Sequence, residues 1–110
     1  MVCGDNDEGD QVPFIKIIEF TTTRVDEVLD LMEEWVTRTE GKRKTGRSVL
    51  SADRDKANTY VQVVEFPSYE EAMANSNLPE TSEFAERLNK LCDGPPSFRN
   101  LDVRRSYDLS

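Results

Sequence analysis

The chain has 110 residues, with 14 Lys plus Arg, 22 Asp plus Glu, no histidine and a formal net charge of −8. That length suits one domain, able to bury roughly two-thirds of its unfolded surface without disulfides or metal, and leaves no room for a second. The lack of histidine excludes a Ser-His-Asp or Cys-His catalytic unit, an imidazole zinc site and a haem held by a proximal histidine. At a sequence pI near 4.5 the summed field repels phosphate backbones and anionic membrane surfaces, so no nucleic-acid or membrane partner is expected.

The chain opens on a run with Asp5, Asp7, Glu8 and Asp10 but no Lys or Arg, and these four carboxylates supply half of the net charge. With Gly4 and Gly9 and no apolar period, residues 1–12 read as a disordered acidic arm. It lacks the basic start and apolar run of a signal peptide. Residues 13–110 then form the single domain. Cys3 and Cys92 show neither metal spacing nor a dense disulfide framework, so two free thiols in a reducing cytoplasm are expected.

Residues 13–20 carry Phe14, Ile15, Ile17, Ile18 and Phe20, broken only by Lys16 and Glu19, and read as a central strand. Thr21 to Thr23 offer helix-capping hydroxyls. Val25, Val28, Leu29, Met32, Trp35 and Val36 then recur at the three-and-four spacing of one apolar stripe, predicting a helix over 24–39. Gly41 is placed to end it. The basic loop 42–47 follows, then a short edge strand over 48–52 and a charged turn over 53–57. Residues 58–66 form the second strong strand, with Tyr60, Val61, Val63, Val64 and Phe66, stopped by Pro67. Ser68 and Glu71 have capping-box spacing and open a helix that breaks near Asn77-Leu78-Pro79, then resumes over 80–91 on Phe84, Leu88 and Leu91. Cys92-Asp93-Gly94-Pro95-Pro96 ends it as a rigid turn, whose prolines lack the amide donors a phosphate cradle needs. Phe98, Leu101 and Val103 mark a last strand reaching about Tyr107.

The order β-α-β-β-α-β, with right-handed crossovers, gives an α+β, ferredoxin-like plan: a four-stranded antiparallel sheet with two main helices on one face. Alternation puts Ile15, Ile17, Val61 and Val63 on one face of the central strands and Phe14, Ile18, Phe20, Tyr60, Val64 and Phe66 on the other. Two helices cover one face only, so an aromatic-rich second face is expected to be covered by a second copy of the chain. Between two such sheets Lys16, Gln62, Asn100 and Asp102, of one parity, become candidate polar linings, the alternative being strand ends in water.

The order, the Tyr60-Val-Gln-Val-Val-Glu-Phe66 strand followed by Pro67-Ser68-Tyr69-Glu70-Glu71-Ala72, and the Phe98-Arg-Asn-Leu-Asp-Val103 strand resemble the dimeric α+β barrel proteins of the antibiotic biosynthesis monooxygenase family. The resemblance covers roughly residues 13 to 107. It implies a homodimer with a small-molecule pocket in each subunit, between the sheet and its own helices or toward the barrel centre. Some relatives oxidise electron-rich phenols with molecular oxygen and no metal or flavin. The substrate anion then supplies the electron, and the protein supplies a dry cavity, hydrogen-bond donors and a cation. The haem-degrading branch holds its haem by a histidine that this chain lacks.

Pocket candidates of the right chemical kind are Trp35, Arg47, Asn58, Tyr60, Gln62, Tyr69 and Asn100. Trp35 shares its stripe with Val28, Leu31 and Met32, which also fits plain core packing. Tyr60 fits a dimer contact equally well, its hydroxyl needing a partner if buried. The basic run 42–47 reads as a solvated loop, or as a site for an anionic substrate or the acidic arm. Asp26, Glu27, Asp30, Glu33 and Glu34 read as a solvated helical face. An RNA-recognition domain shares the strand order, but residues 59–66 lack its basic residue, glycine and interleaved aromatics. The expected function is therefore a cytoplasmic homodimer binding a small aromatic or apolar molecule, with cofactor-independent monooxygenase activity on a phenolic substrate. The alternative is a non-catalytic ligand-binding or regulatory module of the same fold. Neither metal nor cofactor is expected.

Overall fold

The computed structural model describes residues 12–43 and 46–109. Cys3 and the expected acidic arm up to residue 11 lie outside these, as do two residues of the basic loop. The elements are β1 (Phe14–Thr21), α1 (Val25–Arg38), β2 (Arg47–Ala52), β3 (Thr59–Phe66), α2 (Tyr69–Ser76), α3 (Pro79–Leu91) and β4 (Ser97–Asp102). They build a four-stranded sheet in the order β2-β3-β1-β4, every pair antiparallel. The two most apolar strands are thus the central ones, as the ferredoxin-like plan requires.

Local chemistry accounts for most boundaries. Ser68 Oγ accepts from the Glu71 amide at 3.2 Å and caps α2, and Pro79 occupies the first turn of α3, where its missing amide proton is not needed. Gly41 reverses the chain after α1 at φ +82°. The threonines before α1 do not cap it: Arg24 is the N-cap and has no side-chain cap bond. Thr22 instead accepts from the Arg24 amide at 3.0 Å and donates to Leu91 O at 2.6 Å, tying the start of α1 to the end of α3. The last strand ends at Asp102, short of the expected Tyr107. Its partner Phe14 is the first residue of β1, and the last ladder bond runs from Val103 N to Pro13 O at 2.9 Å. Pro13 has no amide proton with which to continue.

Residues directly opposite one another share a face of the sheet. Phe14, Ile18, Phe20, Val64 and Phe66 are all buried, and they pack with Val28 and Leu31 of α1, Ala72 of α2 and Leu88 of α3. The aromatic-rich face is therefore the one beneath the helices. The expectation that it forms the uncovered second face is corrected: the bulky phenylalanines fill the layer between sheet and helices. The face away from the helices carries the smaller aliphatics Ile15, Ile17, Val61 and Val63. Lys16, Gln62, Asn100 and Asp102 go with the helix side, because Lys16 lies opposite Val64 and Asn100, Gln62 opposite Ile18, and Asp102 opposite Phe14.

The core beneath the helices is split. One cluster gathers Ile18, Phe20, Val28, Leu31 and Leu88, and the other Phe14, Val64, Phe66 and Ala72. On β1 the interruption is Lys16, between Phe14 and Ile18 on the same face. Gln62, between Tyr60 and Val64, is its counterpart on β3.

Candidate functional site

A cavity of about 140 Å³ opens where the two clusters part, between the sheet and the three helices. Ile18, Val64 and Phe66 form its floor, Met32, Trp35 and Val36 of α1 one wall, Phe84, Ala85 and Leu88 of α3 another, and Phe98 of β4 an edge. It is about the size of a cavity, roughly 150 Å³, that stays dry and takes benzene.

The polar groups come from strands β1 to β3 and the C-terminal end of α2, with Thr81 added by α3. Lys16 Nζ donates to Ser76 Oγ at 3.2 Å, and Gln62 Nε2 donates to Ser48 Oγ at 3.0 Å. Gln62 and Asn75 are only 9% and 7% exposed, and their oxygens Oε1 and Oδ1 have no hydrogen-bond partner among the described residues. A buried acceptor left unpaired costs about 1–3 kcal/mol, and two of them border one apolar opening. Among the described residues, Lys16 is the only ionisable side chain of the lining. Burial pushes its ammonium pKa below the ordinary lysine value.

Trp35 is fixed from both sides. Its Nε1 donates to Thr81 Oγ1 at 3.0 Å, its ring lies 6.3 Å from that of Phe84, and the Arg43 guanidinium sits 5.8 Å from its centroid. Arg43 also donates to Val36 O at 2.6 Å, satisfying a carbonyl in the last turn of α1. The two described cations at the start of the basic loop thus engage this chain's own groups, since Lys42 Nζ reaches Glu80 Oε2 at 2.7 Å.

Across the outer surface of α1 and α3, Arg38 and Arg87 each contact both Glu34 and Glu83, at 2.6 to 3.3 Å, closing a ring of alternating charge. The hydrogen bond from Arg87 holds the Glu34 carboxyl below the usual glutamate range, and that from Arg38 does the same for Glu83. Cys92, partly buried beside Leu91, has its thiol pushed up by desolvation and by Asp93.

Of the sequence candidates, Trp35 and Gln62 line the cavity. Arg47 lies opposite Glu65, on the sheet face away from the helices. Asn58 serves the backbone: at φ 58° it takes the left-handed conformation before β3, and its carbonyl accepts from Thr22 N at 2.9 Å. Tyr60 stacks on Phe20 with centroids 5.8 Å apart, beyond the cavity. Tyr69, 54% exposed, lies edge-on to Phe14 at 5.5 Å. Asn100, opposite Lys16 on the edge strand, is exposed and outside the lining. Sequence reasoning missed Asn75 and Ser76; the available signal was an asparagine three residues after Ala72, on the buried stripe of a short helix.

No protein-family model matches the chain, and no curated protein matches it significantly by sequence. Solved structures do. SnoaB, a cofactor-independent oxygenase from Streptomyces nogalater, superposes with a TM-score of 0.73 at 17% identity, covering 86% of this chain and 96% of that one. The chain has the fold of the antibiotic biosynthesis monooxygenase-like proteins. One structure described as an antibiotic biosynthesis monooxygenase matches at TM-score 0.68 and 16% identity, over 84% of this chain and 99% of that one. A conserved protein from Methanosarcina mazei matches at 0.75 with 8% identity, over 86% and 95%. At these identities the likeness shows the fold and leaves the chemistry to the cavity. No helix among the described residues is long and apolar enough to cross a membrane.

Proposed function

We propose that the chain is a dimeric α+β barrel protein that holds a small aromatic or phenolic molecule in the cavity and oxygenates it with molecular oxygen and no cofactor. The observation that carries this reading is the conjunction, in one apolar opening, of a half-buried lysine with two buried, unpartnered amide oxygens. A phenol seated there meets a cation that stabilises its anion in surroundings with little water to screen the interaction. The electron-rich anion gives electrons to oxygen, a ring carbon bonds one oxygen atom, and the other leaves as water. The balance is phenol plus O₂ to quinone plus water, with all four electrons drawn from the ring. The aliphatic sheet face carrying Ile15, Ile17, Val61 and Val63 is the surface a second copy would cover, and a cytoplasmic setting belongs to the same proposal.

Oxygen uptake over a panel of phenols tests the activity. Protein-dependent uptake with a quinone product is expected, and Lys16→Met should lower kcat/KM by roughly 10² or more, as for other oxyanion partners. Absence of uptake across the panel refutes the oxygenase reading. A second reading, a non-catalytic ligand-binding or regulatory module, is favoured by one observation: among the described residues the lining holds no carboxylate, thiol or phenol to act as a base. It predicts binding without oxygen consumption. Light scattering tests the assembly, with a dimer expected for the wild type and a monomer for Ile17→Asp; a monomeric wild type at micromolar concentration refutes the barrel.

A further inference from the structure

The size and polar pattern of the cavity restrict its occupant, an inference that rests on the small-molecule reading above. At about 140 Å³ the opening matches a single benzene-sized ring, and a fused two- or three-ring system exceeds it. Trp35 and Phe84, with ring centroids 6.3 Å apart, supply aromatic surface for such a ring. The polar groups then ask for two complementary substituents. Lys16 can only donate, so it fits an anionic oxygen. Gln62 Oε1 and Asn75 Oδ1 are acceptors without partners among the described residues, so either fits a ligand donor. Lys16 and Gln62 are diagonal neighbours on adjacent strands, since Lys16 opposes Val64 and Gln62 opposes Ile18. Such neighbours lie roughly 7–8 Å apart, within the span of one disubstituted ring.

We propose that the cavity selects a single-ring phenol bearing a second hydrogen-bond donor, hydroxyl or amino, with its phenolate on Lys16 and its second donor on the Gln62 or Asn75 amide oxygen. A plain phenol or a methoxy analogue fills the same volume and leaves both amide oxygens unpaired. Specificity of this kind comes from the cost of the unmatched group as much as from the bond formed.

Calorimetric titration of the full chain under argon tests this, with resorcinol and hydroquinone as donors, 3-methoxyphenol as the donor-blocked control and 2,7-dihydroxynaphthalene as the oversized one. The better of the two diols should bind at least 10-fold more tightly than 3-methoxyphenol, and the naphthalenediol more weakly than that diol. Gln62→Met or Asn75→Leu should collapse the diol-to-methoxy ratio toward one, and either variant suffices if the other fails to fold. Lys16→Met should abolish the red-shifted phenolate absorption of the bound diol. Equal affinities for diol and methoxyphenol, tighter binding of the naphthalenediol, or a ratio unchanged in both amide variants overturns the proposal. If no phenol of any kind binds, the small-molecule reading falls with it. If the diols bind selectively without oxygen uptake, the selectivity stands and the oxygenase reading alone falls.

Discussion

Leu88→Ala probes the seam between α3 and the sheet, where a 2% exposed leucine both anchors a core cluster and borders the cavity. Removing three carbon groups at about 0.8 kcal/mol each forfeits roughly 2.4 kcal/mol of transfer free energy. Poorly relaxed space adds about 24 cal/mol per Å³. The vacated volume joins an existing opening, so the expected loss lies toward the lower end of the Leu→Ala range, about 3 kcal/mol. For a domain of this size that lowers Tm by roughly 12–24 °C. Urea unfolding followed by the fluorescence of Trp35, the single tryptophan, measures it. The enlarged opening should also admit 2,7-dihydroxynaphthalene, which calorimetry of the folded variant would detect. A loss below about 1 kcal/mol, with the naphthalenediol still excluded, would refute the placement of Leu88 and the packing argument with it.

Ser68→Ala removes the cap of α2 and should cost about 1 kcal/mol, read from the urea midpoint at unchanged m-value. The depressed pKa of Lys16 means the unfolded chain binds more protons between that value and about 10.4. Wild-type stability should accordingly gain a rising contribution with pH across that window, and Lys16→Met should remove this increment from a melting series. The carboxyls of Glu34, Glu83 and Glu80 are held low by Arg87, Arg38 and Lys42 respectively. Their contribution is present above the ordinary glutamate value, about 4.3, and is lost as pH falls below it. Salt should blunt this acid sensitivity, and Glu34→Gln should reduce it in the same titration.

The strand and helix order was readable because each element carries a strong local pattern. Phe14 to Phe20 and Tyr60 to Phe66 are dense in β-branched and aromatic residues, and Ser68 and Pro79 mark helix starts through their own chemistry. Alternation told which residues share a face but not which face the helices cover, because both are apolar. That ambiguity sent Lys16 and Gln62 to the wrong compartment while correctly keeping them together. The end of β4 depends on a partner 88 positions away, Phe14 opposite Asp102 and beside Pro13, which no local pattern in residues 103–107 reveals. The site suffered in the same way. Arg47, Asn58, Tyr60 and Tyr69 have suitable chemical types, and the tertiary arrangement sets them at the far face, in a turn, in a ring stack and at an exposed helix start. Asn75 sits on a helix too short and too weakly amphipathic for its buried position to show in the sequence.

The divided core has a consequence for how much of the protein a cell would keep. Lys16 and Gln62 interrupt the buried face of the sheet, so a bound ring would become the piece of hydrophobic filling that joins the two clusters. A ligand that binds only the folded chain raises its stability by mass action, about 2.7 kcal/mol at a concentration 100 times the dissociation constant. On that proposal the empty protein would open more often and be cleared faster, and the occupied one would persist. The lifetime of the chain would then follow the supply of its own ligand, with no separate sensor.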